Sequence, residues 1–288
     1  MVSPHTPPVL LVLGVGPGLG MSVAHRFGAE GYAVALVSRT ATRHADYLHS
    51  LADAGVDAAA FTADAADPAR LRRAVDAVRA WFGRIDVGYY GPLADYMRPL
   101  VDGAAFTADA ADPALLRATI DAARGRSGRI DVVDDGPAAV GSVLGDITRL
   151  DRAGAEAALR GVLPAVDFAS LLIPELIERG AGGFLFVGAL SSVVPMSPHG
   201  GFALWSAALR NYAITLHAAL APAGVYAGTI AIGGLIERSD AHKVMLDSPE
   251  LSAGVTAGTL DPDELAETPW QLYTERERAE AVVSIFGS

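Results

Sequence analysis

The apolar residues of this chain gather into short runs separated by amphipathic stretches. Val9-Leu10-Leu11-Val12 is the first run and Val34-Ala35-Leu36-Val37 the second. Ala58 to Ala63, Ile85 to Tyr89, Phe184 to Gly188 and Val225 to Ile232 continue the series, and the last of these is the expected final strand. Short apolar runs bounded by turn residues are the pattern of strands buried on both faces. Helical spacing fills the intervals: about Met21 to Glu30, Pro68 to Phe82, Ala153 to Arg179 and Ala203 to Leu220, with a further helix opened by Asp261-Pro262. Asp67 before Pro68 combines an N-cap with a proline in the first turn. Pro164 and Pro174 kink or divide the long stretch that contains them. Strands alternating with helices predict an α/β fold in which a parallel sheet carries helices on both faces.

One segment occurs twice. Val56 to Val87 returns as Val101 to Val132 with about two-thirds of its positions identical, including AAFTADAADPA and GRID. Two copies are too few for a solenoid. The repeat reads as a duplicated strand–helix–strand unit inside a single domain spanning 1–288, or as an artefact of how the chain was assembled. Both copies cannot hold the same place. Either the sheet gains strands or one copy packs outside it.

Composition narrows the partners. The formal charge of −11 argues against nucleic acid, which needs basic patches. Zero cysteines exclude disulfides and thiolate metal sites and fit a cytoplasmic location. No basic region precedes the first apolar run, so no signal peptide is read. No apolar stretch is expected to reach the roughly 18–20 residues of a membrane span. The histidines lack HxxxH or HExxH spacing, so no metal is expected.

The chemistry-bearing motif lies directly behind the first strand: Gly14-Val15-Gly16-Pro17-Gly18-Leu19-Gly20, followed by a helix. Glycines let the backbone approach phosphates, and a helix N-terminus supplies free N–H groups and a partial positive charge. This predicts a dinucleotide cradle in a Rossmann-type, doubly wound sheet. The second strand ends in Ser38-Arg39, with no acid to hold a ribose 2′-hydroxyl. An arginine there suits a 2′-phosphate and favours NADP(H) over NAD(H); a solvated surface arginine is the alternative. Asp64, at the end of the third strand, is placed to meet the adenine edge. Its duplicate Asp109 is an equal candidate on spacing.

The GxxxGxG spacing, Arg39 and Asp64 resemble NADPH-preferring members of the short-chain dehydrogenase/reductase family. The likeness continues through Gly182 to Val187, the segment Ala207-Ala208-Leu209-Arg210-Asn211, Ile232-Gly233-Gly234 and Asp261 to Glu267. It implies a nicotinamide cofactor, a homodimer or homotetramer, and a Ser-Tyr-Lys site for carbonyl reduction. Gly91 and Gly234 fall beside the implied nicotinamide end. Aligned on Ala207 to Asn211, Ser192 takes the serine position, with Ser191 its near equal. Phe202 takes the tyrosine position and Ser206 the lysine position, and the implied helix-four asparagine falls near Gly161. A second register would put Trp205 and Leu209 at the tyrosine and lysine positions. Either way the acid and the cation are absent. A divergent subgroup with Phe for Tyr is similar, but keeps the lysine.

Other proton donors are few. Tyr90 borders the implied ribose, or else packs as an aromatic. His199 lies in the loop before Phe202. Tyr89 alternates to the opposite strand face and belongs to the core. Asp134 and Asp135 are adjacent and do not form a paired-carboxylate site. Three functions are compatible with these residues. The first is an NADP(H)-dependent oxidoreductase acting on a small to medium apolar carbonyl, imine or activated alkene. The second is an NADP(H)-binding protein without turnover. The third is a redox-neutral isomerase or cyclase.

Overall fold

A computed structural model of the chain describes residues 7–91, 145–247 and 258–286. The first stretch contains β1 (Val9–Leu13), α1 (Leu19–Ala29), β2 (Ala33–Ser38), α2 (His44–Asp53), β3 (Ala58–Thr62), α3 (Pro68–Phe82) and β4 (Val87–Tyr90). The second contains α4 (Arg152–Arg160), α5 (Leu163–Arg179), β5 (Gly183–Ala189), α6 (Gly200–Leu220), β6 (Tyr226–Gly233), β7 (Leu235–Ile236) and α7 (Asp240–Asp247). The third contains β8 (Thr259–Leu260), α8 (Pro262–Glu275) and β9 (Glu280–Ser284).

Among the described residues, seven strands form one parallel sheet in the order β3-β2-β1-β4-β5-β6-β9. The chain runs outward from β1 to β3, then returns to β4 on the other side of β1. Helices cover both faces, so the central strands are buried throughout. Alternate side chains of each strand enter opposite layers. Leu11, Leu13 and Tyr90 join Phe168 and Trp205 in one layer; Leu10, Val12 and Tyr89 join Phe27 and Leu272 in the other.

The local signals act as their chemistry demands. Asp67 caps α3 by accepting the N–H groups of Ala69 and Arg70, each at 3.0 Å. Asp261 caps α8 through the N–H of Asp263 at 2.8 Å. The long helical stretch is divided into α4 and α5 ahead of Pro164, while Pro174 is carried inside α5. By length and composition Arg152–Arg179 is apolar enough to cross a membrane, contrary to the expectation from sequence. Phe168, Ala169, Leu172 and Leu176 of this stretch are buried in the layer that covers the sheet.

Several elements depart from the sequence reading, and α2 and α7 were not read at all. α1 begins at Leu19 and α6 at Gly200, a few residues early in each case, because glycines do not register in an apolar pattern. The small β7-β8 pair was not read. Nor was Val225 to Ile232 the last strand: β9 pairs with β6 from Thr229↔Glu280 to Gly233↔Ser284. β9 is an edge strand with Val282 exposed, so its five residues lack the continuous apolar run that marks the buried strands.

The first repeat copy supplies β3, α3 and the start of β4. The second copy, with Asp109, Asp134 and Asp135, lies outside the described residues. At an offset of 45 residues, its Val133, Asp134 and Asp135 match Gly88, Tyr89 and Tyr90 of the first. A Cβ at Gly88 would lie 2.9 Å from the Phe168 ring, and both tyrosines are buried. A valine and two carboxylates could not take those positions without overpacking and burying charge.

Candidate functional site

The direction of winding reverses between β1 and β4. The carboxyl ends of the strands at such a point open a crevice, and ligands of doubly wound folds bind there. In this protein the crevice is lined by Leu13, Gly14, Val37, Ser38, Arg39, Ala63, Ala65 and Tyr90. Three turns predicted to serve one ligand, after β1, β2 and β3, therefore do meet.

The glycine turn has a distinct reason at each position. Gly14 has φ +85°, a left-handed conformation open to glycine, and its N–H donates to Val37 O at 2.9 Å. A Cβ at Gly16 would meet nothing within 4 Å, so the space beside it is open. At Gly18 it would lie 3.0 Å from the carbonyl oxygen of Glu237, and at Gly20 3.1 Å from Val15 Cα. α1 starts at Leu19, its N-cap Gly18 offers no side-chain bond, and its first turn holds no acid. An uncapped helix N-terminus beside open space has the geometry and the sign of charge for an anion.

At the end of β2, Ser38 Oγ donates to Thr40 O at 2.9 Å and lies 2.7 Å from His44 Nε2. Since the Ser38 proton goes to Thr40, His44 is the donor in the second bond. Burial lowers the pKa of His44. The Ser38 hydroxyl is thus committed to its own loop, although Ser38 lines the crevice together with Arg39. Asp64 shapes the next turn: Oδ1 accepts Ala66 N–H at 3.0 Å.

At the end of β4, Tyr90 is buried against Phe168 and Phe186, at ring distances of 6.3 and 6.4 Å. Its ring lines the crevice as part of an aromatic layer. Tyr89 is buried on the opposite face, as alternation predicted, and its pKa is raised by desolvation. Gly91 N–H donates to Leu13 O at 3.0 Å, and a side chain there would strike the Tyr89 ring. Gly234 is placed differently from the other glycines of interest. A Cβ there would lie 3.0 Å from the Leu260 side chain, so packing against β8 accounts for it.

Beyond β5 the chain makes a tight turn carrying two serines. Ser192 Oγ donates back to Ala189 O at 2.7 Å, which caps the turn. It is Ser191 that faces α6, with its Oγ 3.0 Å from Ser206 Oγ. Ser206 is fully buried. Trp205 is turned into the core, where its indole N–H donates to Gly161 O at 3.1 Å, and Leu209 is buried beside it. Of the residues in the two registers, Ser206 meets Ser191, whereas Trp205 and Leu209 are turned into the core. Phe202 stacks on Trp205 at 5.3 Å, and the His199 ring lies 6.2 Å from Phe202. Burial lowers the pKa of His199, and among the described residues its Nδ1 has no hydrogen-bond partner.

A group absent from the sequence reading is the segment Glu237 to Asp240, which packs on the glycine turn. Arg238, at φ +63°, reaches Asp263 at 2.7 Å and Ser22 Oγ at 3.3 Å. On the other side, Asp240 grips Arg43 at the start of α2 through two bonds of 2.7 and 2.8 Å. Ser239 bonded to the N–H of His242 is an N-cap that sequence could have revealed. Nothing local marks Asp240 as the partner of Arg43, 197 positions away.

Residues 8–89 match the family model described as short chain dehydrogenase. Two Streptomyces violaceoruber proteins, named as ketoacyl reductases 1 and 2 of the granaticin polyketide synthase, are 35% and 40% identical over 80 residues. Those matches cover 28% of this chain and only 29% and 31% of the two relatives. The fold is that of many solved structures. L-sorbose reductase from Gluconobacter frateurii, complexed with NADPH and L-sorbose, superposes with TM-score 0.66 at 19% identity over 99% of this chain and 97% of that one. A short chain oxidoreductase from Pseudomonas aeruginosa, described as containing an atypical catalytic center, gives 0.68 at 15% identity over 96% and 95%. A metagenomic short-chain oxidoreductase in complex with NADP gives 0.62 at 15% identity over 96% of each.

Proposed function

We propose that this chain is a short-chain dehydrogenase/reductase-like oxidoreductase that binds NADP(H) along the carboxyl edge of its sheet. One observation carries the reading. The left-handed Gly14 turn opens onto the uncapped N-terminus of α1 and the open space beside Gly16, while Arg39 lines the same crevice. That donor set fits a pyrophosphate and a 2′-phosphate. The NADPH- and NADP-bound structures among the similar folds support the same cofactor.

In this reading the main-chain N–H groups at the start of α1 hold the pyrophosphate, and Arg39 holds the 2′-phosphate. Asp64 meets the adenine edge, and Gly91 lets the chain pass close to the cofactor beside Tyr90. When bound, the nicotinamide supplies or accepts hydride. The substrate lies over Ser191 and Ser192, in a pocket with Phe202 and Ser206 where a proton-donating tyrosine and a lysine are implied. It is a small to medium apolar carbonyl, imine or activated alkene.

The loss of both acid and cation also favours a second reading, an NADP(H)-binding protein without turnover. Titration with NADPH and NADH, followed by cofactor consumption over a substrate panel, separates the two. Micromolar NADPH binding much tighter than NADH is expected. Binding with steady consumption supports the oxidoreductase, and binding without it supports the second reading. No binding of either cofactor overturns both.

A further inference from the structure

The segment after β7 crosses the glycine turn and is pinned on both sides. A Cβ at Gly18 would lie 3.0 Å from Glu237 O and 3.2 Å from Ser239 N, so the strap Glu237 to Asp240 rests directly on the start of α1. Its inner end is tied to β8 and α8. Glu237 N–H donates to Leu260 O at 3.0 Å, and Arg238 pairs with Asp263 at 2.7 Å. Its outer end crosses to the β2 side, where the two Nη atoms of Arg43 donate to the two oxygens of Asp240 at 2.7 and 2.8 Å. Arg238 has φ +63°, a left-handed conformation unfavourable for a residue with a side chain. The path of the strap is therefore held by its ion pairs, against the preference of its backbone.

These contacts close a ring. Gly14 N–H donates to Val37 O at 2.9 Å and joins the glycine turn to the end of β2. The chain continues through Ser38 and Arg39 to Arg43, Arg43 holds Asp240, and the strap packs back on Gly18. The start of α1 and Arg39, where the cofactor reading places the pyrophosphate and the 2′-phosphate, both belong to this ring. Covalent chain, main-chain hydrogen bonds and close packing make its other joints. The joint between Arg43 and Asp240 is made by two side chains, 47% and 24% exposed. A two-pronged arginine–carboxylate pair holds firmly, yet at the surface water replaces each partner when the pair opens.

We propose that the Arg43–Asp240 pair is the latch of this ring, and that a dinucleotide enters and leaves the phosphate site when the pair parts. This rests on the cofactor reading above. The pair joins two segments of the chain and, in that reading, touches neither phosphate group. Breaking it lowers the barrier in both directions, so association and dissociation speed up together and affinity changes little. A residue that binds the cofactor directly has a different signature, because its loss appears mainly in the dissociation rate. Arg43 and Asp240 are thus positioning residues that set the rate of cofactor exchange.

The test is stopped-flow binding of NADPH and of NADH to the full chain at low salt, read by nicotinamide fluorescence. Asp240→Asn and Arg43→Gln should each raise both rate constants by about three- to tenfold, the range of one well-formed ion pair. The two cofactors should respond alike, and each dissociation constant should stay within about twofold of the parent's. The double variant should do no more than either single one, because the second change meets a pair already broken. NADPH binding with both rate constants unchanged, or with dissociation alone accelerated, overturns the latch and leaves the cofactor reading intact. Slower release in Asp240→Asn with faster release in Arg43→Gln would make Arg43 a phosphate ligand that Asp240 holds back, and also overturns the latch. Absence of NADPH binding to the parent overturns the cofactor reading itself, and the proposal with it.

Discussion

Asp86 and Arg179 are joined across the base of the sheet, Arg179 Nη1 lying 2.9 Å from Asp86 Oδ1. Asp86 also accepts the N–H of Val9 at 2.8 Å and pairs with Arg84. It is buried, whereas the arginines reach partly into solvent. One carboxylate thus ties the start of β1, the approach to β4 and the end of α5. The Arg84 and Asp86 that do this belong to the repeated GRID motif.

Asp86→Ala should therefore cost about 2 kcal/mol or more, because it leaves the Val9 N–H without its buried acceptor and Arg84 without its partner, while Arg179 keeps Glu175 and the Ile85 carbonyl. Urea denaturation checks this. A loss under about 1 kcal/mol would show that solvent replaces the carboxylate.

Excising residues 92–136 should leave a folded protein. The cut joins Gly91 to Pro137 and restores the Gly-Pro step of the first copy. β4 already pairs with β1 and β5, and the buried Gly88, Tyr89 and Tyr90 all come from the first copy. Near-ultraviolet circular dichroism and a cooperative thermal transition are the readouts. A chain that loses both would mean that the second copy is needed by the core.

Gly14→Ala and Gly16→Ala should separate fold from ligand. Alanine at Gly14 forces a left-handed backbone and should cost about 1 kcal/mol or more. Alanine at Gly16 meets nothing within 4 Å and should leave stability unchanged, yet weaken NADPH if the open space holds its phosphates. Thermal melts paired with calorimetric titration distinguish the two. Unchanged NADPH affinity in Gly16→Ala would move the phosphates elsewhere.

Arg39→Ala should raise the NADPH dissociation constant by about ten- to a hundredfold, the range of one charge-assisted hydrogen bond, and change NADH by less than about twofold. Equal weakening of both would remove Arg39 from 2′-phosphate recognition.

The pH dependence has an identifiable contributor in Asp263. The Ser22 hydroxyl donating to it, with Arg238 beside it, holds its carboxyl below the usual range. The folded state therefore favours its ionised form. That contribution is complete above the unfolded value of about 3.9 and is lost as pH falls through the lowered folded one. Asp263→Asn should lower the melting temperature at neutral pH, and the gap from the parent should close as pH falls below about 4. A gap that persists in acid would show that the asparagine acts through packing.

The sequence by itself determined the sheet strands other than β9, most of the larger helices that cover them, and the turn that begins the crevice. These follow from local physics: apolar runs that must be buried, Asp67 and Asp261 as caps, and glycines that free the backbone after β1. Only the tertiary structure decided the rest. β9 is a strand because β6 offers it an unpaired edge. Ser191 rather than Ser192 meets α6 because the turn after β5 rotates one hydroxyl inward and ties the other to Ala189. The Arg43–Asp240 pair and the first copy's hold on β4 rest on neighbours brought close by folding. Burial and hydrogen-bond partners arise between segments far apart in the chain, where local periodicity carries no information.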